Sequence, residues 1–312
     1  MLLVRAVEER RKRDGATFLR LALGDATGQV VAMVWDGVAE VADICRAGQP
    51  VHVRGLYEVH ARYGPQIAIR ALAAPAPDSF SMADLLDGPP RGADAMERDL
   101  RDLVATVQDP HLRLLLDRVL GEDSDTWRHY RSAPAAKHFH QAYVHGLLEH
   151  SLSVAQGVGA LAATFPGIDR DVAVTGALLH DIGKLEAYTA DPSCIDLTDA
   201  GRLQGEIPLG YYRVRRLIED LPGFPSQRAE GILHIILSHH GSLEHGSPVV
   251  PCTREATLVH HIDNLGGRLG SFDRLEKQLP PGGMWTAFDR AIGASAYFGA
   301  PAEAAVDGRQ AA

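Results

Sequence analysis

Hydrophobic residues alternate with polar ones over the first 75 positions, with the period of two that is typical of strands. Turn residues interrupt this pattern at Asp14-Gly15 and at Gly24–Gly28, where hairpins are expected. A short helix is predicted over Val38–Cys45. The pattern therefore predicts strands at Met1–Glu9, Phe18–Leu23, Val30–Trp35, Val51–Tyr57 and Gln66–Arg70.

Beyond position 96 the pattern changes to that of helices. Leu100, Leu103, Val104 and Val107 recur at helical spacing until Asp109-Pro110 interrupts them. The same periodicity predicts further helices at Ala142–Thr164, Asp169–His180, Ile207–Asp220, Ser226–Ser238, Glu255–Leu265 and Trp285–Tyr297.

Two domains follow from this change of period. Five short strands with a helix after the third predict a barrel of the OB type at residues 1–75. Residues 76–95 are rich in Pro, Gly, Ala and Asp, and this composition predicts a linker. An all-α bundle is expected at 96–299 and a disordered tail at 300–312.

Composition narrows the setting of the protein. The chain has 312 residues, of which 46% are hydrophobic, as in an ordinary globular protein. No apolar run approaches the roughly 20 residues of a membrane span, and Met1–Arg5 lacks a signal-peptide core. The three cysteines are far apart, with no CxxC pair. We therefore expect a cytoplasmic protein with no membrane partner.

Charge is distributed unevenly between the two predicted domains. The net charge is −9, but residues 1–74 carry ten basic and eight acidic side chains. The remainder has 21 basic and 32 acidic ones. This asymmetry fits a nucleic-acid-binding arm on an acidic body, although a surface that merely varies in charge explains it equally well.

The strongest chemical signal is the sequence His180-Asp181-Ile182-Gly183-Lys184, which follows the apolar run Val172–Leu179. A buried His beside a buried Asp costs free energy unless both are satisfied, and a metal ion satisfies both. Further imidazoles and carboxylates lie on other predicted helices, at His150, His239-His240 and Asp263. Such groups, converging from several helices, predict a metal site and phosphoester chemistry.

The predicted barrel contains candidates for nucleic-acid binding. Aromatic rings stack on bases and arginines pair with phosphates, and about two of the four aromatic residues are expected to do so, because strand aromatics more often belong to the core. The candidates are Phe18, Trp35, Tyr57 and Tyr63 for stacking, with Arg20 and Arg54 for phosphate. Walker, GxGxxG and GxSxG motifs in their usual contexts are absent, which disfavours ATPases, dehydrogenases and serine hydrolases.

With these motifs in this order, the second domain resembles the HD superfamily of metal-dependent phosphohydrolases. The whole chain resembles the bacterial 3′→5′ exoribonucleases of the YhaM type over roughly residues 1–299. The resemblance rests on Leu21–Gly28 and Trp35, Pro134–Lys137, Tyr143–Ser151, Leu178–Lys184, Ile236–Gly241, Leu258–Leu265 and Trp285–Arg290.

The resemblance implies a divalent metal centre, usually served by manganese, and degradation of single strands from the 3′ end. By position it implies His150, His180, Asp181 and Asp263 as ligands of one ion. His239 and His240 would bind a second ion, with Asp181 bridging. Imidazole and carboxylate ligands suit Mn, with Fe, Co and Zn as alternatives, better than Ca or Mg. Lys184 would contact a phosphate oxygen.

One departure from the family affects the second ion. The family usually has His in a Gly-His-Ile stretch, and this chain has Gly205-Glu206-Ile207. Glu206 is either an oxygen ligand or a solvated carboxylate at a helix start. One of His239 and His240 could instead be a hydrogen-bonded structural partner.

The leading hypothesis is a metal-dependent 3′→5′ exonuclease that hydrolyses single-stranded RNA to nucleoside monophosphates, with single-stranded DNA as a further substrate and a homo-oligomer left open. Asp181 and Lys184 are the catalytic candidates. Two alternatives stay open: a phosphohydrolase of small nucleotides, and a nucleic-acid-binding protein with a degraded metal site.

Overall fold

A computed structural model describes residues 1–60, 64–76, 79–137, 141–277, 279–280 and 282–299. Tyr63 and the predicted tail at 300–312 lie outside the described residues. The other predicted site residues are all within them. None of the described helices is both long and apolar enough to cross a membrane.

Five strands form the first domain, in the spatial order β1-β2-β3-β5-β4. Strand β4 pairs back to β1 at Leu2 with Val51 and at Leu3 with Pro50, and this short pairing closes the barrel. The helix α1 (Val38–Val41) follows the third strand. The strands are β1 (Leu2–Arg11), β2 (Thr17–Asp25), β3 (Gly28–Val34), β4 (Pro50–His60) and β5 (Gly64–Ala73).

Successive side chains of β2 and β3 point alternately into and out of the barrel, and this alternation determines which of them form its core. Leu19, Leu21 and Leu23 are buried in its core with Ala32 and Val34 of the neighbouring strand. Residues of opposite parity therefore point outward, as the strand period requires. The prediction of a five-stranded sheet followed by a helical domain is confirmed.

The second domain packs its helices around one hydrophobic core. Gly176 lies so close to Ile235 that a Cβ at this position would overlap the Ile235 side chain. This close approach brings α6 and α10 together. The helices are α2 (Ala93–Ala105), α3 (Pro110–Leu120), α4 (Asp125–Ser132), α5 (Gly146–Ala162), α6 (Arg170–Leu179), α7 (Lys184–Ala187), α8 (Asp199–Gln204), α9 (Glu206–Glu219), α10 (Ser226–Ser238) and α11 (Arg254–Lys277).

The predicted helix at Trp285–Tyr297 is wrong. This segment is a hairpin of β6 (Trp285–Asp289) and β7 (Ala294–Tyr297). Gly293 has φ +70° in the turn, and the rings of Trp285 and Tyr297 lie 4.7 Å apart across the strands. Burial of Ala296 against Leu275 of α11 fixes the hairpin on that helix.

The segment between the domains contains a short 3-10 turn, Met82–Asp84. Arg5 of β1 donates a hydrogen bond to the Leu85 carbonyl at 2.9 Å, which ties this segment to the barrel. Gly48 of the barrel lies against Ser193 of the helical domain, where an added Cβ would be 2.8 Å from its Oγ. The boundaries at 75 and 95 stay a prediction.

Candidate metal centre

The turn after α6 carries the central pair of side chains. His180 and Asp181 follow the apolar helix directly, and both are almost completely buried. Gly183 packs against α9 so closely that a Cβ there would overlap the Glu206 carbonyl oxygen. The glycine thus allows the turn to approach the start of α9, which places Glu206 beside the pair.

Three helical segments bring one set of predicted ligands together. The His150 Nε2 atom on α5 is 3.1 Å from Asp263 Oδ1 on α11 and 3.3 Å from Asp181 Oδ2. His180 Nε2 is 3.4 Å from Asp181 Oδ2 and 3.2 Å from His150 Nε2. These are the separations expected of atoms that share one ion about 2.0–2.2 Å away.

A second group adjoins the first through Asp181. The His239 Nε2 atom is 3.5 Å from Asp181 Oδ1, and His240 Nε2 is 3.8 Å from Glu206 Oε1. Asp181, His239 and His240 each offer a ligand atom within 4.8 Å of the others. Asp181 therefore presents one carboxylate oxygen to each group, as a bridging ligand would.

Hydrogen bonds to backbone carbonyls fix three of the imidazoles. The Nδ1 atom of His180 donates to the Ala177 carbonyl oxygen at 2.7 Å. His239 donates in the same way to Ile236 O at 2.8 Å, and His240 donates to His245 O at 2.9 Å. A carbonyl oxygen can only accept, so each Nδ1 carries the proton. In its neutral form each ring presents an unprotonated Nε2 to the cluster, which is the form that ligates a metal.

The electrostatics of the cluster favour a cation. Burial lowers the pKa of His180, but the carboxylates of Asp181 and Asp263 raise it to about 10. Burial raises the pKa of Asp181, yet Lys184 and His180 hold it well below its usual range. Two ionised carboxylates thus draw positive charge, either protons or a metal, into this buried position.

Two atoms in the cluster test whether a metal fits. Asp181 Oδ1 and His239 Nε2 are buried and make no hydrogen bond with any of the residues that the structure describes. Leaving such atoms without partners costs about 1–3 kcal/mol each, and an ion between them would satisfy both. The residues present therefore fit a divalent cation, although the role of each as a ligand stays a prediction.

Lys184 contacts a carboxylate in this structure. Its Nζ lies 2.6 Å from Asp181 Oδ2, and its side chain is 10% exposed. Burial lowers its pKa, but Asp181 and Glu206 raise it above the ordinary value. The ammonium therefore keeps Asp181 ionised, and its predicted contact with phosphate stays a prediction.

A cleft of about 310 Å³ opens beside the second group. Three of its lining residues were not predicted from the sequence: His245, His260 and Asn264. His260 lies three positions before Asp263, so both occupy one face of α11. That spacing was the signal in the sequence that could have identified it.

On the barrel, three of the predicted nucleic-acid contacts lie together on the outer face of β2 and at the end of β3. The rings of Phe18 and Trp35 stack with centroids 4.8 Å apart, and Trp35 is 41% exposed. Arg20 lies on the same face of β2 and pairs with Glu8 at 2.9 Å. Arg54 and Tyr57 lie on β4 and are exposed. The described part of the barrel thus offers a stacking pair at its surface, in which Trp35 is the exposed ring.

Comparison with known proteins relates the chain to one group over most of its length. The HD domain family matches residues 147–267. The 3′-5′ exoribonuclease YhaM of Geobacillus sp. (strain WCH70) is 30% identical over 90% of this chain and 85% of its own. The YhaM of Bacillus subtilis (strain 168) is 28% identical over 90% and 88%, and that of Listeria innocua 29% over 90% and 88%.

No solved structure matches the chain significantly. The HD match spans the helices that carry His150, His180, Asp181 and Asp263, and thus the whole primary cluster. The match to the YhaM proteins extends well beyond it, over nine-tenths of the chain. The chain belongs to the YhaM family of 3′-5′ exoribonucleases, which are hydrolases of phosphodiester bonds.

Proposed function

We propose that this protein is a metal-dependent 3′→5′ exonuclease that hydrolyses single-stranded RNA to nucleoside monophosphates. The observation that carries the proposal is the buried cluster in which imidazoles from three segments face two ionised carboxylates. In a chain related to exoribonucleases over nine-tenths of its length, this cluster is the natural reaction centre.

The ligand set divides between two positions. His150, His180, Asp181 and Asp263 would hold one ion, and Asp181, His239 and His240 a second, with Glu206 beside His240. The chemistry that divalent cations supply in such a site is polarisation of the phosphodiester and activation of the attacking water. Manganese is our proposal for the ion, because the set mixes imidazole with carboxylate.

The chain's own residues position these groups. Backbone carbonyls orient the imidazoles of His180, His239 and His240, and Lys184 holds Asp181 in its ionised form. Because these side chains are fixed before substrate arrives, no free energy is spent on ordering them during the reaction.

The barrel supplies strand binding in this proposal. Phe18 and Trp35 offer ring faces to bases, and Arg20 and Arg54 offer charge to phosphates. Residues 1–75 would hold the strand while residues 96–299 cleave its end, with 76–95 as the connection. We place this activity in the cytoplasm, with RNA as the partner and DNA as a substrate to be tested.

A denaturing-gel time course tests the proposal. RNA labelled at its 5′ end is incubated with wild-type protein and manganese, with EDTA, and with Asp181→Asn in place of the wild type. We expect a ladder that shortens from the 3′ end, and no products with EDTA or the variant. Intact RNA in the presence of manganese-loaded protein would contradict the proposal.

A further inference from the structure

One histidine in the cleft has no part in the reaction described so far. His260 lies on α11 one turn before Asp263, and its side chain lines the cleft together with those of His239 and His240. Its Nδ1 atom is 2.7 Å from the His239 carbonyl oxygen. A carbonyl oxygen accepts only, so Nδ1 carries the proton of this ring.

This hydrogen bond determines what His260 can offer to a ligand. In the neutral ring Nε2 is then an acceptor, and within the part of the chain that the structure describes no residue donates to it. Gly241 makes the position possible, because it has φ +83° and a Cβ there would overlap the His260 ring. The cleft therefore contains an acceptor that is held in one orientation and has no donor among the described residues.

The chemistry of the terminal nucleotide identifies a donor. Phosphate oxygens of the strand are acceptors, so a neutral Nε2 has no hydrogen bond to make with them. The four bases differ in their donors, whereas the sugar hydroxyls are the same on every 3′-terminal ribonucleotide. A fixed acceptor beside the reaction centre thus suits a sugar hydroxyl best.

We propose that His260 Nε2 accepts a hydrogen bond from a sugar hydroxyl of the 3′-terminal nucleotide and so positions the last phosphodiester at the metal centre. This inference rests on the proposed exonuclease function. It assigns His260 a substrate contact on the face of α11 that also carries Asp263.

A matched set of variants separates this contact from a merely structural role. His260→Asn places an amide N–H near the position of Nδ1, so it can keep the bond to the His239 carbonyl while losing Nε2. His261→Asn is the control, because His261 is the exposed neighbour on the same helix. The substrates are a single-stranded RNA and bis(p-nitrophenyl) phosphate, a phosphodiester without a sugar.

We expect kcat/KM of His260→Asn to fall about tenfold more on RNA than on bis(p-nitrophenyl) phosphate, as the loss of one hydrogen bond implies. The affinity for manganese, measured by titration calorimetry, should stay within twofold of wild type, and His261→Asn should behave as wild type. Equal losses on both substrates, or weakened manganese binding, would show that His260 acts through His239 and would overturn the inference.

Strands with a 2′-deoxy or a 3′-deoxy terminal nucleotide identify the hydroxyl. The strand that lacks the contacted group should be cleaved slowly by wild type and no more slowly by His260→Asn. If the variant stays impaired on both modified strands, a sugar contact is excluded. Wild-type protein that hydrolyses bis(p-nitrophenyl) phosphate but leaves RNA intact would instead contradict the exonuclease function itself.

Discussion

In the helical domain most of the candidate functional side chains are buried and held by further contacts, whereas in the barrel they lie on the outer surface. His180 and Asp181 are almost inaccessible, and backbone carbonyls or Lys184 fix them. The Trp35 side chain is 41% exposed, and its ring stacks on that of Phe18. In the proposed function, chemistry that depends on fixed geometry would thus reside in the core, and binding that tolerates any base would reside on a surface.

The largest expected effect comes from removing the carboxylate that both groups of ligands share. Asp181→Ala should lower kcat on RNA by at least about a thousandfold and weaken manganese binding. It also leaves the Lys184 ammonium buried without a partner, so unfolding must be monitored by circular dichroism. Asp181→Asn keeps the shape of the side chain and should lose activity to a similar extent.

Asp102→Ala is the matched control, because Asp102 is exposed on α2. It should keep wild-type turnover and manganese affinity. A folded Asp181→Asn protein with more than a tenth of wild-type activity would show that the buried carboxylate is not required for the reaction. The contrast between the core site and the barrel surface would then not hold.

A smaller effect is expected on the barrel side of the comparison. Trp35→Ala removes half of the stacking pair, and stacking on a base contributes about 1–3 kcal/mol. KM for RNA should therefore rise about tenfold, while the melting temperature changes little because the ring is exposed. Tyr212→Ala removes a ring that is 61% exposed on α9 and should leave KM unchanged. Equal KM values for the two variants would exclude Trp35 from strand binding.

Glu206 is intermediate between the buried site and the surface site, because its side chain is 23% exposed. If it supports the second ion, Glu206→Gln should weaken manganese binding about tenfold. Glu206→His should shift the preference toward zinc, a softer ion that imidazole suits. Competition titrations measure both effects, with Glu219→Gln on the same helix as control. Unchanged affinities would assign Glu206 to the solvated helix start.

The smallest effect concerns the scaffold of the helical domain. Burial raises the pKa of Asp109, but hydrogen bonds from the Leu112 and His111 amides and the charge of Arg228 lower it overall. A carboxylate with a lowered pKa stabilises the fold above its unfolded-state pKa of about 3.9 and loses this contribution as the pH falls through the folded value.

Asp109→Asn should therefore reduce the free energy of unfolding by about 1 kcal/mol at pH 7. The difference from wild type should shrink below about pH 4. Urea titrations at pH 7 and pH 3 measure it. A difference that grew on acidification would show that the ionised form of Asp109 does not stabilise the helix.

The architecture was largely predictable because strand and helix periods are local properties of the sequence. The structure of the segment Trp285–Tyr297 was not predictable in this way, because its aromatic residues fit a short helix as well as a hairpin. What decides the hairpin is distant packing of Ala296 on Leu275 and the conformation of Gly293. The same packing lets α11 continue past Gly266-Gly267 to Lys277, well beyond the predicted end at Leu265.

The candidate site was predictable to the extent that its residues form sequence motifs. His180-Asp181 and His239-His240 are pairs of adjacent polar residues that follow apolar stretches. Polar pairs expected to be buried are conspicuous in the sequence. The spacing from Asp263 marked the position of His260, but its hydrogen bond to the His239 carbonyl, twenty-one positions away, could not be predicted from the sequence. The contact between Lys184 and Asp181 was not predicted either. A lysine in a phosphohydrolase motif is first interpreted as a phosphate-binding residue, and not as the partner of a neighbouring carboxylate.

The most direct test of the central claim, that the buried cluster is a metal centre for RNA hydrolysis, is a manganese titration of metal-free protein with binding and RNA turnover followed together. We predict saturable binding of one or two ions per chain, with turnover rising as the ions bind and both lost in Asp181→Asn. RNA turnover at full rate without bound metal, or binding that the variant leaves intact, would contradict the account.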